Sequence, residues 1–179
     1  ITTGARRGEL IGLQWKHVDF AERTIHICQS MSETTGERTL KTTKTMATRF
    51  VALDDDTLAA LQVRWDELNA QANRMDVRFG MDDFVLSPGP GVAMPIRGDR
   101  LYKTHRWFCD QLGITKVRFH DLRHGHATML LQAGVDLATV ALRLGDDPVT
   151  VARTYVHGAV KEQHKAMKAI QERLAEAGG

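Results

Sequence analysis

Glycines divide the second half of this chain into helix-sized lengths, and that punctuation restricts the fold more than any other feature. Apolar residues recur with helical spacing over residues 99 to 112, 120 to 133, 136 to 144 and 147 to 155, and Gly113, Gly134 and Gly145 close the first three. Glycine enters the left-handed conformation that ends a helix at little cost, so the spacing predicts short helices joined by tight turns. The first half reads differently. Residues 3 to 16 carry Leu10, Ile11, Leu13 and Trp15 behind a Thr-Gly start, as a helix packed on one side would. Residues 24 to 29 and 49 to 53 alternate, and Thr34-Thr35-Gly36-Glu37 reads as a turn between them, which predicts a small antiparallel sheet with a hairpin. Asp54 to Asp56 offer N-caps for a long amphipathic helix to about Met75, with Leu58, Leu61, Trp65 and Leu68 on one face. A short strand is expected at 84 to 86 and a loop at 87 to 98. A last helix over 159 to 177 carries Val160, Met167, Ile170 and Leu174 as a sparse stripe that a partner would cover. The expected fold class is mainly α with a small antiparallel β-sheet, an α+β chain.

At 179 residues the chain can bury one good core. No apolar run approaches the roughly 20 residues that a membrane span needs. Cys28 and Cys109 are too few for a disulfide framework and are expected to be buried bystanders in a reducing compartment. The N-terminus has no signal-peptide pattern and opens inside a motif, so the sequence reads as a fragment of a longer chain. A net charge of +2 announces no partner, but its distribution is uneven: Arg38, Lys41, Lys44 and Arg49 follow Glu37 without an intervening acid.

The densest chemistry lies in HDLRHGH, residues 120 to 126. His120 and His124 share a helix face as two zinc ligands would, yet the residue after the first is Asp121 rather than glutamate, and His126 points away. Arg123, three residues from His120, projects a guanidinium beside the imidazole, a pairing suited to phosphate oxygens. Arg6, Lys44 on the hairpin and Tyr155 complete a set of donors and one nucleophile. Two basic residues in the first turn of the first helix oppose its dipole, so an anionic partner is expected, and Glu9 is near enough to serve. Arg7 rivals Arg6, and Lys41 rivals Lys44. Tyr102 and the tryptophans Trp15, Trp65 and Trp107 read as packing residues.

Four stretches in order, TGARRGELIGLQW, KTMATRFVAL, FHDLRHGHATMLLQAG and RLGDDPVTVARTYVH, resemble the catalytic domain of the tyrosine recombinases, the phage integrase family, over residues 2 to 157. The resemblance implies one catalytic domain across residues 1 to 179, with an N-terminal DNA-clamping domain outside this chain. It matches Arg6 and Arg123 to the active-site arginines, Lys44 to the catalytic lysine, His120 to the histidine of the H-x-x-R pair and Tyr155 to the nucleophile. Glu9 and His124 match supporting positions. Where the family places histidine or tryptophan after Leu-Gly, this chain has Asp146, with one residue fewer before the tyrosine. Either the position is substituted in a tightened loop or one residue is missing. A carboxylate there would repel phosphate, so Asp146 is read as a loop residue or cap.

The resemblance further implies metal- and cofactor-free cutting and rejoining of double-stranded DNA through a 3′-phosphotyrosyl intermediate. It implies a tetrameric synapse with residues 159 to 179 docked on a neighbouring protomer, an accessory DNA-bending protein, and a bacterial or phage-encoded, cytoplasmic, nucleoid-associated setting. Alternatives stay open: a type IB topoisomerase, a DNA-binding module that has lost catalysis at Asp146, and, more distantly, a metal-dependent hydrolase.

Overall fold

The structure, a computed structural model, describes residues 2–34, 36–42, 48–115, 117–154, 167, 170 and 173. The helix expected over residues 3 to 16 is short: α1 spans Arg7–Gly12 and is followed by a 3-10 turn at Trp15–His17. Gly8 and Gly12 let α1 lie directly on the chain beside it. A Cβ on Gly8 would come 2.5 Å from the Ser30 hydroxyl and 2.7 Å from the Met31 carbonyl oxygen.

The single sheet expected from the sequence is two separate sheets. Strands β1 (Val18–Asp19), β2 (Thr24–Ile27) and β5 (Arg49–Ala52) form one, antiparallel in the order β1-β2-β5. Strands β3 (Gln29–Thr34) and β4 (Glu37–Thr42) form a hairpin closed at the expected turn, with Thr34 opposite Glu37. The hairpin strands lack clean alternation because only Met31 is buried on β3 and no residue of β4 is. Polar strands of this kind show no periodicity of two to read.

Helix α2 (Asp55–Met75) starts where the aspartates predict. The Asp54 carboxylate accepts from the backbone N–H of Thr57 at 2.8 Å and from its hydroxyl at 2.9 Å. These hydrogen bonds hold Asp54 down to about 2. The apolar face of α2 covers the three-stranded sheet: Leu68, Trp15, Val18, Ile25, Ile27 and Val51 are buried together, with Leu58, Leu61 and Trp65 against them. Trp15 meets Trp65 edge to face at 5.1 Å between ring centres. The strand expected at 84 to 86 is one bridge, Gln14 to Phe84. Trp107, expected to pack, is exposed.

Helices α3 (Gly98–Gln111), α4 (Phe119–Gln132) and α5 (Leu137–Leu144) follow, with the expected glycine stops at positive φ. Residues 148–154 are helical, opening with Pro148 behind Asp147, whose carboxylate accepts from Val149 N–H at 2.7 Å. A second core, Ala127, Val140, Ala141, Leu144 and Val151, joins α4, α5 and this last stretch. Of the C-terminal stripe, Met167 and Ile170 are exposed; Val160 and Leu174 lie outside the described residues. No helix among the described residues is long and apolar enough to cross a membrane.

Candidate active site

The site is organised by the C-terminal end of α5. A helix leaves its last carbonyl groups without internal partners and carries partial negative charge there, so cations gather at that end. Here three consecutive carbonyls are each taken by a different arginine. Arg49 Nε donates to the Arg143 carbonyl at 2.7 Å, Arg123 Nη2 to that of Leu144 at 2.8 Å, and Arg6 Nη2 to that of Gly145 at 3.2 Å. Gly145, at φ +66, turns the chain away; a Cβ there would lie 2.6 Å from Arg49 Nη1, so the arginine needs both the turn and the missing side chain.

The three arginines have different surroundings. Arg49, read in sequence as one of a basic surface stretch, is buried and paired with Glu9, Nη2 to Oε2 at 2.8 Å and Nη1 to Oε1 at 3.2 Å. Burial opposes the charge on Glu9, but the hydrogen bonds and charges of Arg49 and Arg6 outweigh it and hold the carboxyl below its ordinary value. Glu9 also accepts from Arg6 Nη1 at 2.9 Å and from the Arg6 backbone N–H at 2.8 Å, which fixes Arg6 at the head of α1. Arg123 is buried and donates from Nη1 to the Gly4 carbonyl at 2.7 Å, tying the Thr-Gly loop to α4. Its burial pushes its pKa down, against the pull of Asp146.

Asp146 sits between Arg6 and Arg123. Its Oδ2 accepts from Arg123 Nη2 at 2.6 Å and its Oδ1 accepts from Arg6 Nη2. Asp146 lies in the loop after α5, as the sequence reading allowed; the capping acid of the next helical stretch is Asp147, and Asp146 bridges two arginines. The carboxylate expected to repel a phosphate is itself held by both arginines.

His120 and His124 lie on one face of α4 with Nε2 to Nε2 at 2.8 Å, so one ring donates to the other. Burial and the neighbouring His120 push His124 below its ordinary value. Asp121, the position that departs from a zinc motif, is tied to the helix start: it accepts from Arg118 Nε and Nη2, each at 2.9 Å, and from its backbone N–H at 3.1 Å. Lys44 and Tyr155 lie outside the described residues.

Arg6, His120 and Arg123 form the wall between two grooves. The larger, about 730 Å³, is also lined by Arg7, Lys41, Arg118 and Tyr102, and among the described residues by no acidic one. Arg7, treated in sequence as the alternative to Arg6, therefore faces this groove too, although only Arg6 reaches Asp146. Tyr102, read as a packing residue, is part of its wall. The smaller groove, about 420 Å³, runs from Asp146 and His124 to Thr154, the residue that precedes Tyr155 in the chain.

Sequence reasoning missed His126 and Arg143. His126 is buried under Gly4, and its Nε2 accepts from Arg143 Nε at 3.0 Å. Arg143 also donates to the carbonyls of Thr2 at 2.9 Å and Ala52 at 3.0 Å, joining α5 to β5 and the N-terminal loop. His126 is visible in the histidine cluster and Arg143 has no local signal, but the role of each is set by partners far away in the chain.

The sequence profile of the phage integrase family matches residues 1–162. The chain belongs to that family. It is 31% identical over 158 residues to the ICEBs1 integrase of Bacillus subtilis, a match covering 87% of this chain and 42% of that protein. It is 26% identical over 184 residues to a XerC-like tyrosine recombinase of Caldanaerobacter subterraneus, covering 95% and 46%. The chain thus spans less than half the length of these relatives. Among solved structures, the fold is similar to the Tn1549 transposon integrase in complex with a circular intermediate DNA, with a TM-score of 0.69 at 18% identity, covering 92% of this chain and 55% of that one. XerA recombinase gives a TM-score of 0.62 at 23% identity, covering 92% and 54%. The fold is that of the tyrosine recombinase catalytic domain.

Proposed function

We propose that this chain is the catalytic domain of a site-specific DNA recombinase or integrase, and that it cuts and rejoins double-stranded DNA with Tyr155 as nucleophile. The carrying observation is the convergence of Arg6 and Arg123, far apart in the chain, on one carboxylate beside a basic groove whose lining, among the described residues, has no acid. Two fixed guanidinium groups around one anion are the electrostatic arrangement that phosphoryl transfer requires, because charge grows on the non-bridging oxygens in the transition state. In this reading Asp146 is the resident anion, and the DNA phosphate takes its place between the arginines.

The chemistry balances without a cofactor. The Tyr155 hydroxyl loses its proton to His120, the exposed member of the histidine pair, and its oxygen bonds to phosphorus. The 5′-oxygen leaves and takes a proton from Lys44, and a 3′-phosphotyrosyl ester remains. Attack by a second strand's 5′-hydroxyl reverses each transfer, conserving the phosphoester without ATP. The positive charge that a metal would otherwise supply comes from Arg6 and Arg123. Assembly as a tetramer with residues 159 to 179 docked on a neighbour belongs to the same proposal.

A nicked suicide DNA substrate carrying the cognate site, which prevents religation, tests it. Wild type should form a covalent protein–DNA adduct that disappears in Tyr155→Phe, persists in Tyr102→Phe and falls roughly 100-fold or more in Arg6→Ala. An adduct in Tyr155→Phe would assign the nucleophile elsewhere. The position of Asp146 also suits a DNA-binding module without catalysis. That reading prevails if wild type retards DNA on a gel and forms no adduct.

A further inference from the structure

The outer face of the three-stranded sheet carries a cluster that strand transfer does not use. His17, His26 and Cys28 present two imidazole nitrogens and a sulfur, all within 4.8 Å of one another. The backbone brings them together. Pairing of Val18 with Ile25 places His17 across from His26 one step further along the ladder. His26 and Cys28, two residues apart on an extended chain, project to the same side, while Ile25 and Ile27 point into the core. Cys28, expected to be a buried bystander, is half-buried. None of the three lines the grooves at Arg6 and Arg123.

From this arrangement the geometry points to a binding site for a divalent cation of the zinc class, with His17, His26 and Cys28 as ligands and a fourth position open to water. Zinc takes nitrogen at about 2.0–2.1 Å and thiolate sulfur at about 2.3 Å in a tetrahedron, so its sulfur and nitrogen ligands lie roughly 3.6 Å apart. The Cys28 sulfur lies 3.5 Å from His17 Nε2 and 3.7 Å from Nδ1, so the separation already matches this edge of the tetrahedron, and a turn of the His17 ring would aim a nitrogen at the ion. The His26 ring is held flat against Phe50, with centres 4.4 Å apart and planes 12° from parallel, which restricts its rotation. Two neutral imidazoles and one thiolate suit zinc over magnesium or calcium, which prefer oxygen. Binding displaces the thiol proton to solvent, leaving one net positive charge. Asp19 and Glu22, which line the hollow of about 530 Å³ beside the histidines, offset that charge. Lys16 lines it as well, but its ammonium is drawn to Asp82 at 2.9 Å.

Cobalt(II) titration of the reduced, metal-free protein tests the site. Wild type should bind one equivalent with a thiolate-to-cobalt charge-transfer band and the visible bands of a tetrahedral complex, and zinc should displace it. His26→Gln and His17→Gln should weaken binding about tenfold or more, Cys28→Ser should abolish the charge-transfer band, and Cys109→Ser should leave it intact. Zinc should also slow modification of Cys28 by a thiol reagent in otherwise unaltered Cys109→Ser protein, a readout independent of folding defects in the histidine variants. Absence of the charge-transfer band in wild type overturns the proposal. So does a band that survives Cys28→Ser and vanishes in Cys109→Ser, which would move the site to the His105–Cys109 pair.

Discussion

Asp146 presents one carboxylate to two guanidinium groups, the place that the proposed function gives to a DNA phosphate. Its removal should have two opposed effects. Asp146→Asn keeps the shape and one acceptor oxygen but removes the negative charge that buried Arg123 is paired with, which should cost about 1–3 kcal/mol of stability. The same change leaves the two guanidinium groups without the carboxylate's charge, so sulfate or phosphate should raise the melting temperature of the variant by more degrees than that of wild type. Thermal melts across an anion series check this. Equal responses would mean that this place does not take an external anion. Other roles are not legible from residue type alone. Arg38, Lys41 and Arg49 look equivalent in sequence, yet Arg38 binds the carbonyls of Pro95 and Ile96, Arg49 is sealed against Glu9, and Lys41 lines the groove.

Between elements, the contact of His126 on α4 with Arg143 on α5 makes stability depend on pH. Burial and the charge of Arg143 push His126 down to about 4, from the 6.5 it would have in the unfolded chain. Between those values the unfolded chain binds a proton that the folded protein refuses, so stability falls as pH drops through this window and is fully present above it. From pH 7 to pH 5 the loss from His126 should be about 2 kcal/mol, read as a lower urea midpoint. It should be much reduced in His126→Gln, where His17 and His124, also held below their ordinary values, leave a remainder. A midpoint constant over that range would show that His126 protonates freely in the fold. The carboxylates held low, Glu9 and Asp54 among them, act only at lower pH. The limits of α2 and the end of α5 were legible because caps and stops are local: Asp54 and Gly145 do their work within four residues, whereas α1 fell short of its expected span. Strands β3 and β4 were not, because their partners are each other and α1 rather than a solvent-and-core alternation.

For the molecule as a whole, DNA affinity should follow the basic groove. If Lys41 contacts a backbone phosphate, Lys41→Ala should weaken binding to all sequences alike and reduce the slope of log K against log salt by about one. Electrophoretic or fluorescence titrations at several salt concentrations measure it; an unchanged slope would remove Lys41 from the interface. The sequence by itself determined the family and the limits of the longer helices, because motifs, caps and glycine stops are written in neighbouring positions. Tertiary structure alone decided that the end of α5 draws Arg6, Arg49 and Arg123 to successive carbonyls, that Asp146 lies between two of them, and that His17 faces His26 and Cys28. Such convergences depend on charge and register across long stretches of chain, and no local pattern encodes them.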